Sequence, residues 1–99
     1  MSFFTYILEC ADGKYYTGYT DDLDARVESH NSGEYPNAYT LRRRPVKLVF
    51  YAEFEDAEST QELERQIKKW TRAKKEALIR GEWEKLPELA KKKFKRKIF

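Results

Sequence analysis

The chain of 99 residues has few of the residues from which several common classes of functional site are built. It contains one cysteine and one histidine, so it lacks the ligands of an ordinary zinc site and cannot form an internal disulfide bond. It also has no glycine-rich phosphate loop, no nucleophile elbow and no carboxylate pair typical of a glycosidase. These absences argue against zinc chemistry, nucleotide hydrolysis and acyl transfer.

Long apolar segments are also missing. No run approaches the length of a membrane span, and no charged start followed by an apolar core indicates a signal peptide. Hydrophobic residues make up 40% and charged residues 37% of the chain, which is typical of a soluble globule. A single unpaired cysteine fits a reducing compartment, so we expect a cytoplasmic protein. We also expect a monomer that does not bind membranes.

Charge is distributed unevenly along the chain. Residues 1–40 carry two basic against seven acidic residues, a net charge of −5, whereas residues 41–99 carry eighteen basic and ten acidic residues, a net charge of +8. A basic second half is what a phosphate-binding surface requires, although charged blocks also serve as solvated faces.

A turn at Asp12-Gly13 lies between two β-rich runs and predicts a hairpin near the start of the chain. A three-residue loop that ends with Gly13 at positive φ places Tyr6 opposite Gly18 and beside Tyr16 on one face of the sheet. A two-residue turn would separate the two tyrosines. A bare backbone at Gly18 indicates a position where another group approaches closely.

The first helix is predicted directly after the hairpin. Asp21 or Asp22 caps it, Leu23 and Val27 form its buried stripe, and Gly33 ends it.

The third strand is predicted over residues 46–54, whose nearly continuous apolar run is typical of a central strand. Asp56 starts a second long helix with Leu63, Ile67 and Trp70 as its buried stripe. We therefore expect an α+β fold in which a small three-stranded antiparallel sheet is flanked by helices.

A third helix is predicted from its N-cap Thr71 to Gly81, with Ala77 and Leu78 packed on the domain. Pro87 opens a further short helical run, and the last residues are densely basic. These features divide the chain into a domain over residues 1–80 and a basic helical C-terminal extension over residues 81–99, packed on the domain or trailing from it.

Several polar side chains have both a structural and a functional interpretation. Arg26 and His30 share one helix face by their i, i+4 spacing; Arg26 suits a surface ion pair with Asp22, and His30 suits a helix C-terminus. Glu64, next to the apolar stripe, suits an i, i+4 ion pair with Lys68.

The loop that precedes the third strand contains three consecutive arginines, Arg42, Arg43 and Arg44. They cannot all find local partners, so they indicate either a contact with a nucleic-acid backbone or a solubilising loop. Tyr39 in the same loop suits stacking on a base or covering the sheet edge.

The tyrosine motifs and the residues that follow them resemble a known family. Phe4-Thr5-Tyr6 stands where GIY-YIG nucleases have Gly-Ile-Tyr, and Tyr16-Thr17-Gly18 stands where they have Tyr-Ile-Gly. Arg26 and His30 follow at matching positions, and the segment Glu64 to Lys68 is similar to the helix that bears the family's metal-binding glutamate. The resemblance covers about residues 3–79 and is strongest to the small stand-alone bacterial type, related to the incision domain of excision-repair nucleases.

The resemblance implies a divalent-metal-dependent endonuclease that cuts structured or single-stranded DNA and serves DNA repair, with RNA left open. By analogy Glu64 binds one Mg²⁺ or Mn²⁺ ion, Arg26 stabilises the transition-state charge, and Tyr6 or Tyr16 activates or positions water. A nearby cation, which is Arg26, His30 or the metal ion, would lower the tyrosine pKa. The alternative is a non-catalytic nucleic-acid-binding or repair-complex module with the same fold.

Two sets of functional residues are predicted. The predicted catalytic residues are Tyr6, Tyr16, Arg26, His30 and Glu64, with Gly18 at the backbone approach. The predicted nucleic-acid contacts are Tyr39, Arg42, Arg43, Arg44, Lys68, Lys69 and Arg72.

Overall fold

The order of strands and helices is seen in a computed structural model that describes residues 2–34, 39–86 and 95–98. Four strands and three helices are present in this part of the chain. In sequence order they are β1 (Phe3–Glu9), β2 (Tyr15–Thr20), α1 (Leu23–Ser32), β3 (Lys47–Phe54), α2 (Ala57–Lys68), α3 (Arg72–Arg80) and β4 (Lys95–Ile98), with 3₁₀ turns at Leu41–Arg43 and Trp83–Lys85.

The predicted hairpin register is confirmed. Gly13 has a φ of 83°, and the backbone N–H of Cys10 donates to the carbonyl oxygen of Lys14 at 2.8 Å. Tyr6 is paired with Gly18 across β1 and β2. Because side chains alternate along a strand, the three-residue loop brings Tyr6 and Tyr16 to the same face.

The antiparallel sheet has the order β2-β1-β3-β4. The three predicted strands and the α+β class are confirmed, but the sheet has a fourth strand where we expected a helical extension. Residues 95–98 pair with β3 instead, because this pairing satisfies backbone groups that β3 would otherwise expose at an edge. The helical run expected after Pro87 falls on residues 87–94, outside the described residues, and the division of the chain at residue 80 stays a prediction.

One face of the sheet carries the main apolar core. Ile7 and Phe50 are fully buried there against Leu63 and Ile67 of α2 and Leu78 of α3. This is the stripe predicted from the periodicity of α2 and α3, except that Trp70 lies beyond the end of α2 and is only partly buried.

The opposite face carries a smaller core under α1. Tyr6 and Leu8 are fully buried, and Leu23 and Val27 pack against them. The prediction that Leu23 and Val27 are the buried stripe is only partly correct, because both are half-buried and the buried residue of α1 is His30. The second face of the sheet therefore has a polar centre.

The predicted helix ends are confirmed. Asp22, Asp56 and Thr71 each cap a helix by accepting a backbone N–H, and Gly33 and Gly81 end α1 and α3 with φ values of 80° and 77°. A side-chain oxygen at each N-terminus satisfies a backbone donor that has no partner within the helix. In the described ranges no helix is long and apolar enough to span a bilayer.

Gly18→Ala is expected to destabilise the fold, because the added Cβ would lie 2.6 Å from the hydroxyl oxygen of Tyr6 and 2.8 Å from its Cζ. Displacing a fully buried ring should lower the free energy of unfolding by about 1–3 kcal/mol. Urea unfolding measures this change.

The control is the same glycine substitution in a Tyr6→Phe background. Loss of the hydroxyl removes the nearest contact, so Gly18→Ala should cost less there than in the wild type. Costs within about 0.5 kcal/mol of zero in both backgrounds would show that the ring moves away freely.

Candidate active site

Tyr6 lies across the backbone of β2. Its side chain is fully buried, and its hydroxyl occupies the space in which a side chain at position 18 would lie. The close approach predicted at Gly18 is therefore made by Tyr6 itself, from the neighbouring strand. A buried phenol requires a hydrogen-bond partner.

His30 is that partner. It lies in the last turn of α1 and is 3% exposed. Its Nε2 is 3.2 Å from the Tyr6 hydroxyl oxygen, and its Nδ1 is 2.7 Å from Oγ1 of Thr40. Both ring nitrogens are thus paired inside the protein.

Burial lowers the pKa of His30 below its ordinary value, and the positive charge of Arg26 lowers it further. Arg26 is partly buried one turn earlier on α1. Because the usual pKa of histidine is about 6.5, a lowered value means that His30 is neutral at neutral pH. A neutral imidazole can accept a proton.

Tyr16 and Tyr39 complete an aromatic cluster around the histidine. The Tyr16 ring lies 5.0 Å from the His30 ring and 6.3 Å from the Tyr6 ring, measured between centroids. Tyr39 stacks beside Tyr16 at 6.3 Å with an angle of 24° between the planes, and is 43% exposed. We call Tyr6, Tyr16, His30, Tyr39 and Thr40 the tyrosine–histidine cluster; its buried members are Tyr6, His30 and Thr40.

Arg43 fixes the loop that carries Tyr39 and Thr40 to the tip of the hairpin. Its Nε forms an ion pair with Asp12 at 3.0 Å, and its guanidinium lies 4.0 Å above the centre of the Tyr39 ring. The backbone N–H of Ala11 donates to the Arg43 carbonyl oxygen at 2.8 Å. Arg43 therefore acts as a brace within the protein.

Arg44 is also used locally. Its Nε donates to the carbonyl oxygen of Leu41 at 2.8 Å, and its Nη1 donates to that of Asn31 at 3.3 Å, near the end of α1. Gly33 makes room for this guanidinium, since a Cβ there would lie 2.7 Å from Nη1. Arg42, by contrast, is exposed and makes no ion pair or hydrogen bond within the described part of the chain.

Glu64 is positioned by a different part of the fold. It lies on α2, which packs on the face of the sheet opposite the tyrosine–histidine cluster. Its side chain is 14% exposed, and its carboxylate lies 3.7 Å from Nζ of Lys68. The structure thus contains the predicted i, i+4 ion pair and does not place α2 on the same face as Tyr6 and Tyr16.

Of the two predicted basic residues after Lys68, one is exposed and the other makes contacts within the protein, as is also true of the loop arginines. Lys69 is exposed, whereas Arg72 donates to the carbonyl oxygen of Gly13 at 2.9 Å and forms an ion pair with Glu76 at 3.2 Å. Arg72 also lies 4.7 Å from the centre of the Tyr15 ring. It stabilises the hairpin tip from the face of the sheet that carries α2 and α3.

Three residues of this region were not identified from the sequence. Thr40 binds His30, Asp12 binds Arg43, and Asn31 pairs its side-chain amide with the backbone N–H and carbonyl of Val46 at 2.8 and 3.0 Å. All three contacts join segments that are distant along the chain. The sequence analysis identified Asp12 only as a residue of the hairpin turn, and not as the partner of Arg43.

The comparisons with known proteins identify the family. A family model described as the GIY-YIG catalytic domain matches residues 2–77. The chain therefore belongs to the GIY-YIG family, as the resemblance of its motifs predicted. This is a family of nucleases, whose members generally use a divalent metal ion and bind nucleic acid.

The chain is similar to small stand-alone members of the family. It is 46% identical over 77 residues to a UPF0213 protein of Syntrophus aciditrophicus (strain SB), an alignment that covers 78% of this chain and 88% of the relative. It is 47% identical over 79 residues to a UPF0213 protein of Staphylococcus aureus (strain Mu3), with 80% and 95% covered.

Two solution NMR structures share the fold. That of a UPF0213 protein from Bacillus halodurans is 43% identical with a TM-score of 0.52, and the match covers 80% of this chain and 83% of that one. That of a protein from E. faecalis is 33% identical with a TM-score of 0.57, covering 94% and 93%.

The stability of the fold is expected to depend on pH through His30. Because its pKa is lowered in the folded state, the unfolded chain binds more protons as the pH falls below about 6.5. The stabilisation is therefore fully present above that pH and is lost on acidification. Urea unfolding at about pH 8 and pH 5 should show a larger loss for the wild type than for His30→Gln; equal losses would contradict a neutral buried histidine.

Proposed function

We propose that the chain is an endonuclease that hydrolyses phosphodiester bonds in structured or single-stranded DNA. One observation carries this proposal: the half-buried Tyr16 packs on a neutral histidine whose Nε2 is paired with the buried Tyr6, with Arg26 beside them on α1. Polar groups of this kind are costly to bury and are found where chemistry needs them. Membership of a nuclease family supplies the class of reaction.

The reaction requires a positioned water, an acceptor for its proton and positive charge near the phosphate. Tyr16 is the tyrosine suited to contact the water, because it is partly exposed whereas Tyr6 is fully buried. Tyr6 then acts as a positioning residue behind it, held by His30. Arg26 stabilises the charge that develops on the phosphate.

His30 serves this reaction as a neutral group. From the sequence we expected a cation, His30 among the candidates, to lower the tyrosine pKa from its usual value of about 10. The lowered pKa of His30 argues against that role for the histidine. A neutral imidazole nitrogen at 3.2 Å from a phenol oxygen instead assists the phenol by hydrogen bonding.

Glu64 is the proposed protein ligand of a divalent ion. Within the described ranges no three side chains of His, Cys, Asp or Glu lie close enough together to form a metal site. A single carboxylate suffices for Mg²⁺ or Mn²⁺ when water and phosphate oxygens complete the coordination. Glu64 fits this requirement, since it is partly exposed and its partner Lys68 is a weakly held surface cation. When bound, the ion would neutralise phosphate charge and assist the leaving oxygen.

Recognition is proposed to rest on the shape of the nucleic acid. A domain of this size has little surface for reading a long sequence, and phosphate contacts carry no sequence information. Arg42 and Lys69 are exposed and available for phosphates, and Arg42 lines a groove of about 530 Å³ with Arg44 and Asn31. A cytoplasmic repair role as a monomer fits this activity.

The second candidate is a nucleic-acid-binding or repair-complex module that does not cut. The position of α2 favours it, because Glu64 lies on a helix that packs on the face of the sheet opposite the tyrosine–histidine cluster. A binding module needs the exposed cations but does not need the glutamate.

Cleavage of labelled branched, single-stranded and duplex DNA with Mg²⁺, Mn²⁺ or EDTA tests the proposal. Tyr16→Phe should lower the rate by about 100-fold, the lower end of what a positioned acid or base contributes. Glu64→Gln should abolish the metal-dependent reaction, because it removes the anionic ligand.

Matched controls are available on the same elements. Tyr15→Phe alters the neighbouring tyrosine, which faces the other side of the sheet and donates to Glu76, and Glu62→Gln alters an exposed carboxylate on α2. Both should retain activity. Binding without cleavage of any substrate, RNA included, would instead support the binding module.

Arg42 should account for part of the salt dependence of nucleic-acid binding. Arg42→Ala is expected to reduce the slope of log K against log salt concentration by about 1, the value for one lost phosphate contact. Fluorescence anisotropy with a single-stranded oligonucleotide in EDTA measures the slope. Arg80→Ala, which removes an exposed arginine at the end of α3, should leave it unchanged; equal slopes for all three proteins would remove Arg42 from the interface.

A further inference from the structure

Thr40 is buried at the centre of the tyrosine–histidine cluster. It is 1% exposed, and its hydroxyl oxygen lies 2.7 Å from Nδ1 of His30, a short distance for a hydrogen bond to nitrogen. It stands just before the 3₁₀ turn at Leu41–Arg43, on a segment separate from both strands of the hairpin. Its side chain therefore contacts the histidine from the side opposite Tyr6.

The two hydrogen bonds of His30 are coupled through its tautomer. A neutral imidazole has one N–H donor and one acceptor nitrogen, so one partner must accept from the ring and the other must donate to it. Threonine and tyrosine hydroxyls can each do either. A phenol is far more acidic than an alkyl hydroxyl and is the better donor, which assigns the donor role to Tyr6 and the acceptor role to Thr40.

We propose that Thr40 is a positioning residue that holds His30 in the tautomer protonated at Nδ1, with the lone pair of Nε2 directed at the hydroxyl of Tyr6. Nδ1–H donates to Thr40 Oγ1, and the Tyr6 O–H donates to Nε2. The consequence for catalysis rests on the proposed nuclease function, whereas the tautomer itself does not.

Thr40 is held in place by the brace around Arg43. The backbone N–H of Arg43 donates to the Thr40 carbonyl oxygen at 2.9 Å, and Nη1 of Arg43 donates to the carbonyl oxygen of Tyr39 at 2.9 Å. Since Arg43 also pairs with Asp12, the tip of the hairpin and the hydroxyl that contacts His30 are connected through one side chain.

The chain is well suited to a direct test, because His30 is its single histidine. Protein made without a polyhistidine tag and labelled with ¹⁵N gives one imidazole, whose two nitrogens report in NMR spectra which of them carries the proton. At a pH above the histidine titration, we expect the wild type to show a protonated Nδ1 and an unprotonated Nε2. A wild-type spectrum with the proton on Nε2 would overturn the proposal.

Two variants assign the effect to Thr40. Thr40→Val keeps the shape of the side chain and removes the acceptor, so Nδ1–H loses its partner. The fraction of the Nδ1–H form should fall even though Tyr6 can still donate to Nε2. Thr40→Ser keeps the hydroxyl and should retain that form. An unchanged tautomer in a folded Thr40→Val protein would show that Thr40 does not set it.

Tyr6→Phe provides a second line of evidence if Thr40→Val fails to fold. It removes the other partner of the ring, so the Nδ1–H form should persist if Thr40 holds it. A switch to Nε2–H in Tyr6→Phe would assign control of the tautomer to Tyr6 and overturn the proposal.

Kinetics then separate this proposal from the proposed function. In an active nuclease, Thr40→Val should lower kcat by about 100-fold with little change in KM, and Thr40→Ser should recover most of the loss. If the wild type cleaves nothing, the nuclease function fails while the spectra still decide the tautomer. If the wild type cleaves and Thr40→Val has full kcat, the positioning role fails while the nuclease function stands.

Discussion

The hydrogen bond between the buried Tyr6 phenol and His30 is the constraint on which the α1 face of the sheet depends. A phenol on the covered face of a sheet needs a partner, and α1 supplies it by turning its histidine inward at 3.2 Å. Burial then keeps the imidazole neutral, and a neutral imidazole needs a second partner, which the loop supplies as Thr40 at 2.7 Å. The glycine of β2 is part of the same arrangement, because any side chain at Gly18 would occupy the position of the Tyr6 hydroxyl. One polar contact thus links a strand pair, a helix and a loop.

The charged loop shows that neighbouring residues of one type need not share a role. Arg43 is fixed by Asp12 and by the Tyr39 ring, and Arg44 binds carbonyl oxygens near the end of α1. These contacts hold the segment that carries Thr40, so they stabilise the site. Arg42 is left facing the groove. Arginine suits both uses, since its planar guanidinium can donate several hydrogen bonds at once and also stack on an aromatic ring.

The sheet also separates the proposed catalytic groups. The tyrosine–histidine cluster lies on the α1 face, while Glu64 belongs to the helix that packs on the opposite face. In the proposed nuclease, a phosphate that meets both has to lie at an edge of the sheet. That edge is β2, because β2 is the outer strand that carries Tyr16.

The sequence by itself determined the features that depend on neighbouring residues. The hairpin register follows from Gly13 and strand alternation, the helix ends follow from capping residues such as Asp22, and the family follows from the spacing of its tyrosine motifs. Tertiary structure alone decided that the pKa of His30 is lowered and that its ring is bound to Thr40, that two of the three loop arginines are used internally, and that residues 95–98 form β4. These outcomes depend on contacts between segments far apart in the chain, where the identity of a partner, rather than local propensity, sets the protonation, orientation and conformation of a residue.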